Sequence, residues 1–390
     1  MEEDKEYFNQ DLLKIEISPI VAISEAMKGR NDVFHFYRGE INLNTPQQII
    51  NNIKKALDEG KTKYPKSAGE PPLKQHILEK LKKYNKINGL ITDNIIVTAG
   101  GQEALNILFH LFYGRECASF SPVWSVVVED FNQYSHQNIN EIPFNKDMSI
   151  NWERTENALA KSRFLYLNSP HNPTGKVFSE DELRKILELC KKNNTFIISD
   201  EAYEHIVFDD KEHISIASLP EAKDYENSIA TVYTFSKTFA LTGGRVGYIV
   251  TKNEKLNKVI KNTQYTHTAG ISTFIQYGLV GAYDLEDEIK NRRNELQKRR
   301  DMIYETIARI DKISCSKPEG AFYFWLDLSK IAEDGYNYML EKTRICGVPG
   351  TAFTKQYMAE YKPCVRLSYS AVDSEIIEEM IDNLYNKMVV

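Results

Sequence analysis

Between residues 95 and 250 the chain alternates short apolar runs with longer amphipathic stretches, and this alternation limits the possible folds more than any other feature. The runs are 95–98, 117–120, 164–167, 195–198, 231–233 and 246–250. Apolar runs of that length, separated by helix-length segments, mark strand–helix–strand units and hence a mostly parallel sheet covered by helices. Segment 180–192 is one such helix, because Leu183, Ile186, Leu187 and Cys190 recur at helical spacing. Ser179, followed by Glu180, Asp181 and Glu182, supplies an N-cap and an acidic first turn. The expected fold class is α/β.

Near residue 284 the texture changes. Residues 284–301 are highly charged and read as a long solvated helix leaving the main domain, supported by acid–base pairs at helical spacing. Beyond it, 321–326 and 364–369 have strand character, and 374–388 is an amphipathic helix. The expected division is 1–45 as an N-terminal arm and part of a small α+β domain, 46–283 as the large domain and 284–390 as the rest of the small one. A length of 390 residues accommodates two domains with substantial cores.

Composition removes several classes of function. With 42% hydrophobic and 27% charged residues, the chain looks like an ordinary globular protein. The formal net charge of −6 argues against nucleic-acid or anionic-membrane partners, and Lys82-Lys83 and Lys191-Lys192 read as solvated helix faces. No run of 18 apolar residues exists, so no membrane span is expected. The acidic start Met1-Glu2-Glu3-Asp4 argues against a secretory signal. Five cysteines, odd in number and far apart, suit reduced and mostly buried thiols in a cytoplasmic protein. The eight histidines form no cluster with metal-ligand spacing, so no metal is expected.

Ligands in open α/β sheets bind beyond the carboxyl ends of the strands, and several of these runs end in chemically capable residues. Lys237 follows the run 231–233 within Thr234-Phe235-Ser236-Lys237-Thr238-Phe239, with Gly243, Gly244 and Arg245 close behind. Hydroxyls and a guanidinium suit a phosphate. A partly desolvated lysine beside cations has a lowered pKa and can form a Schiff base. Together these point to pyridoxal phosphate, although a lone lysine is as often a solvated surface residue.

Other strand ends add to this. Gly100 and Gly101, after a strand and before a helix, let backbone N–H groups approach a phosphate, though such a pair is commonly only a tight turn. Asn172, in a loop stiffened by Pro170 and Pro173, suits a ring hydroxyl or else caps its own backbone. Asp200 ends a buried run, where a carboxylate needs a partner such as a pyridinium N–H; a helix N-cap is the alternative. Tyr203 lies three residues on. Trp124 offers a flat ring for stacking, or is a core tryptophan. Arg366 inside an apolar strand needs a carboxylate, either a substrate's or an internal one.

Taken in order, these segments resemble the class I/II aminotransferases, pyridoxal phosphate enzymes of fold type I, from about Phe36 to Tyr385. The most specific matches are Asn-Ser-Pro-His-Asn-Pro-Thr-Gly at 168–175, Ser-Asp-Glu-Ala-Tyr at 199–203 and the stretch from Thr234 to Tyr248. The resemblance implies a mostly parallel seven-stranded sheet in a large domain beside a smaller α+β domain. It implies that Lys237 is the Schiff-base lysine and proton carrier, Asp200 the ring-nitrogen partner, and Asn172 and Tyr203 the residues bonding the phenolic oxygen. Gly101, Gln102, Thr234, Ser236 and Arg245 look like the phosphate cup, and Trp124 like the stacking aromatic. Arg366, with Gly39 and Asn172, resembles the fork for the substrate carboxylate. Tyr64 is similar to the tyrosine that reaches the neighbouring subunit's phosphate, which implies a homodimer with shared sites.

The implied reaction is ping-pong transfer of an amino group from an L-amino acid to a 2-oxo acid. The same residues serve a β-lyase or other α-carbon chemistry equally well. A ligand-sensing module is the reading from another class, and the acidic charge and the absence of a DNA-binding extension before residue 36 weigh against it. The chain departs from the family's Gly-Glu-Pro-Asp-Phe with Gly39-Glu40-Ile41-Asn42-Leu43, preceded by Arg38, and segment 264–270 falls where substrate-contacting loops occur. Arg38 suits an acidic substrate side chain and Glu40 a basic one. Tyr37, Phe322, Tyr323 and Phe324 suit an apolar pocket or the core.

Overall fold

The computed structural model describes Tyr7, residues 17–133, Ser135 and residues 137–388, without the side chains of 130–133. The acidic start and much of the expected N-terminal arm lie outside the described residues. Among the described residues, seven strands form the largest sheet, in the spatial order Ile95–Thr98, Gly247–Val250, Ile229–Thr234, Phe196–Asp200, Phe164–Asn168, Cys117–Ser121 and Ile139–Pro143. Gly247–Val250 runs antiparallel to both neighbours and the remaining pairings are parallel. The expected mostly parallel seven-stranded sheet is therefore present. Ile139–Pro143, on the edge, is the strand that the apolar runs did not mark.

Side-chain alternation sorts the sheet residues onto two faces. Ile96, Tyr166, Ile198, Val232 and Ile249 pack on one face beneath the helix Gly100–Leu111. On the other face, Leu165, Leu167 and Ile197 pack against Leu183, Ile186 and Leu187 of the helix Glu180–Asn193. That helix opens with a capping box between Ser179 and Glu182.

A smaller antiparallel sheet has the order Val348–Pro349, Cys364–Ser368, Tyr323–Asp327. Its core joins Phe324, Val365 and Leu367 to Phe36, Ile303 and Leu384. The charged segment forms the helix Glu286–Ile307, but it is not solvated on every side. Arg300 is fully buried, holding both oxygens of Asp209 at 2.6 and 2.8 Å and the Pro318 carbonyl at 2.8 Å. Buried Arg299 and Arg300 share the inward face with Leu296, Ile303 and Ile307, so charged residues interrupt the apolar stripe. Among the described residues no helix is long and apolar enough to cross a membrane.

Candidate active site

The carboxyl edge of the large sheet collects the chemistry because six strands running the same way end there, five of them leading into residues of the site. Ile95–Thr98 leads to Gly100 and Gly101, Cys117–Ser121 to Trp124, Phe164–Asn168 to Asn172, Phe196–Asp200 to Tyr203, and Ile229–Thr234 to Lys237. Arg245 reaches the same edge because Gly247–Val250 runs the opposite way, with Gly247 opposite Thr234. Arg366 arrives from the middle strand of the small sheet, and Gly39 from the N-terminal segment. All of the residues so delivered except Gly100, together with Gln102, Asp200 and Ser236, surround one cavity of about 520 Å³. Tyr64 does not line it, standing 92% exposed between the helices Gln47–Asp58 and Pro71–Lys83.

Lys237 sits on a one-turn helix, Phe235–Thr238. Its ammonium donates to the Gly39 carbonyl at 2.7 Å. Burial lowers its pKa to about 8; Arg366 and Arg245 push the same way, and Glu40 and Asp200 oppose them. The lysine is thus only a short step from the neutral amine that attacks a carbonyl.

Asp200 faces the cavity with 4% exposure. Its Oδ2 accepts from the Tyr166 hydroxyl at 2.7 Å and its Oδ1 from the Ala202 N–H at 3.2 Å. No helix follows, so the N-cap alternative does not apply; the Ala202 bond closes a turn. Burial pushes this carboxyl up to about 6 against both hydrogen bonds. Its neighbour Glu201 points away, accepting from Ser199, His213 and Ser215.

Asn172 links two sides of the cavity. Its amide nitrogen donates to the Tyr203 hydroxyl at 3.4 Å, and its Oδ1 accepts from Arg366 Nη1 at 3.3 Å. Tyr203 shares a 2.9 Å hydrogen bond with Tyr323, and burial pushes the Tyr203 phenol well above its ordinary pKa. Arg366 is 1% exposed, donates to the Tyr37 carbonyl at 2.7 Å and lies over the Tyr323 ring. Its Nε has no hydrogen-bond partner, and no described carboxylate stands within ion-pair distance of it. The internal-partner alternative is therefore not realised. A buried guanidinium with an orphan donor fits an anion entering the cavity.

At the opposite end Thr234 Oγ1 donates to Ser236 Oγ at 3.0 Å, beside the amino end of the helix Gly100–Leu111. Arg245, itself at φ 49°, donates to the Thr242 carbonyl. Hydroxyls, a guanidinium and free helix N–H groups in one corner fit a phosphate.

Four contributors were missed or left open. Tyr166 and Asn168 lie on the face of their strand that carries them toward Asp200, a placement that period-two alternation from Asn168 would have revealed. Tyr323 lines the cavity, and Glu40 lies there with its carboxylate accepting from Thr242 at 2.9 Å. Arg38 lines a different cavity. Segment 264–270 ends the helix Glu254–Thr268 and packs on the Tyr64 loop, since a Cβ on Gly270 would meet Pro65 at 2.5 Å; it does not line this cavity.

The fold and cavity are those of an enzyme that transfers amino groups. The chain belongs to the family described as aminotransferase class I and II, whose sequence model matches residues 32–384. It is 35% identical to the probable aspartate/prephenate aminotransferase of Aquifex aeolicus, covering 89% of each chain. Identity to the probable aspartate aminotransferase of Methanocaldococcus jannaschii is 33%, covering 89% of this chain and 91% of that one. The structure of Thermus thermophilus aspartate aminotransferase with maleate superposes with a TM-score of 0.87 at 26% identity, covering 97% of this chain and 99% of the other. The aromatic aminotransferase of Pyrococcus horikoshii superposes with a TM-score of 0.83 at 30% identity, covering 93% and 98%. The chain is an aminotransferase, and none of these relatives supports a β-lyase.

Proposed function

We propose that the cavity holds pyridoxal 5'-phosphate and moves an amino group from an L-amino acid to a 2-oxo acid in two half-reactions. One observation carries this reading: Lys237, the buried Asp200 carboxylate and the ionically unpartnered Arg366 open onto the same cavity as a phosphate-sized corner of donors. When bound, the coenzyme supplies an aldehyde carbon and a pyridinium ring that withdraws electrons from the substrate α-carbon.

The chain's residues do the rest. Lys237 would hold the coenzyme covalently, and its freed amine would serve as the base at the substrate Cα. Asp200 keeps the ring nitrogen protonated, Asn172 and Tyr203 bond the phenolic oxygen, and Trp124 stacks on the ring. Gly101 and Gln102 N–H groups, Thr234, Ser236 and Arg245 hold the phosphate. Arg366, helped by Asn172 and Gly39, would fix the substrate carboxylate and so orient the α-carbon in the cavity.

Tyr64 is exposed and outside its own cavity, which accords with a homodimer in which it would reach the neighbouring site. The free cysteines, mostly buried, accord with the cytoplasm. Relatives named for aspartate and prephenate make acidic donors the first to assay. The test is a panel of amino donors against 2-oxoglutarate and pyruvate with coenzyme-loaded protein. Parallel double-reciprocal plots and acceptor-dependent turnover are expected. Release of ammonia and an oxo acid without any acceptor would replace this reading with the β-lyase.

A further inference from the structure

Tyr166 holds Asp200 from beneath. Asn168 stands opposite Asp200 and Tyr166 opposite Ile198, so the three residues share one face of the sheet, with Tyr166 one step below the cavity edge. Its ring packs edge-on against Phe109 of the helix Gly100–Leu111, with centroids 5.8 Å apart. Its hydroxyl, 2.7 Å from Asp200 Oδ2, belongs to a side chain only 2% exposed. Burial and the neighbouring carboxylate push this phenol well above its ordinary pKa, so it remains a donor.

The rest of Asp200 is equally fixed. Ala202 N–H holds Oδ1, while Asn168 Nδ2 and Ser169 N–H both hold the main-chain carbonyl at 3.0 Å. The aromatic hydroxyl is the shorter of the two bonds that set how the carboxylate is turned, and a donor at that oxygen favours its ionised form.

We propose that Tyr166 is a positioning residue, whose hydroxyl orients the Asp200 carboxylate and keeps it ionised toward the coenzyme's ring nitrogen. This rests on the reading of Asp200 given above. Tyr166 does not line the cavity and acts only through Asp200.

Tyr166→Phe removes one oxygen and keeps the ring packed on Phe109. Purified protein would be stripped of coenzyme, titrated with pyridoxal phosphate, and its bound-coenzyme absorption followed against pH. The expected result is a dissociation constant raised about tenfold and kcat lowered about tenfold, with the donor KM changed by less than about twofold. The pH midpoint of the visible absorption moves upward, because a ring carrying less positive charge withdraws less from the titrating nitrogen. In an Asp200→Asn background the same change should shift affinity and midpoint by less than about twofold, since no carboxylate is left to orient.

Wild-type affinity and midpoint in Tyr166→Phe, or an equal effect with and without the Asp200 charge, would overturn the proposal and leave Tyr166 as packing. Failure of the wild-type chain to take up coenzyme at all is a different result. It removes the reading of the site itself, and this proposal with it.

Discussion

Arg245 lies so close to Gly100 that a Cβ added to the glycine would stand 2.8 Å from Arg245 Nη2. Gly100 also has φ +79°, a conformation that costs an ordinary L-residue about 1–2 kcal/mol. The guanidinium can thus rest on the amino end of the helix Gly100–Leu111 only because this position carries no side chain. Gly100→Ala should displace Arg245 and weaken coenzyme binding about tenfold or more, measured by titrating the stripped protein. Unchanged affinity would remove Arg245 from the phosphate corner.

Arg366 makes a second prediction. Two charge-assisted hydrogen bonds to a substrate carboxylate are together worth about 3–5 kcal/mol, so Arg366→Leu should lower kcat/KM by about two to four orders of magnitude. Coenzyme affinity should change little. Arg366→Lys should recover only part of the loss, because an ammonium cannot form the forked pair. A large loss of coenzyme binding with intact donor KM would put Arg366 on the wrong ligand.

The Asp200 carboxyl gives a pH signature in the coenzyme-free protein, where burial pushes it up to about 6. Between about pH 4 and pH 6 the folded chain keeps a proton that the unfolded chain has lost. This group's contribution to stability therefore falls by about 3 kcal/mol as pH rises through that window, then levels off. Urea unfolding at about pH 7.5 should find coenzyme-free Asp200→Asn more stable than wild type, because the amide has no charge to bury. Adding pyridoxal phosphate should reverse the order, since only the carboxylate gains a cationic partner. A less stable coenzyme-free variant would contradict this.

Much of this was legible locally. The helix Glu180–Asn193 follows its capping box, and the helix Ser374–Met388 has the expected bounds. That Lys237, Asp200 and Asn172 meet at one sheet edge was readable because strand ends are punctuated by glycine, proline and polar residues. What stayed hidden depends on partners distant in sequence. Ile139–Pro143 is interrupted by Glu141, whose burial is sustained by Ser121 and Thr354 hydroxyls at 2.6 Å and by the Lys355 and Gln356 N–H groups. Arg300 looked solvated because Asp209 is 91 positions away. Tyr166 looked like one more apolar strand residue, since its hydroxyl meets Asp200 only once the two strands pair.

The central claim is that Lys237 carries the coenzyme, and the direct measurement is borohydride reduction of coenzyme-loaded protein followed by peptide mapping. The expected result is a pyridoxyl group on Lys237, with no such label and no turnover in Lys237→Ala. A label on another lysine, or full turnover in that variant, would contradict the account.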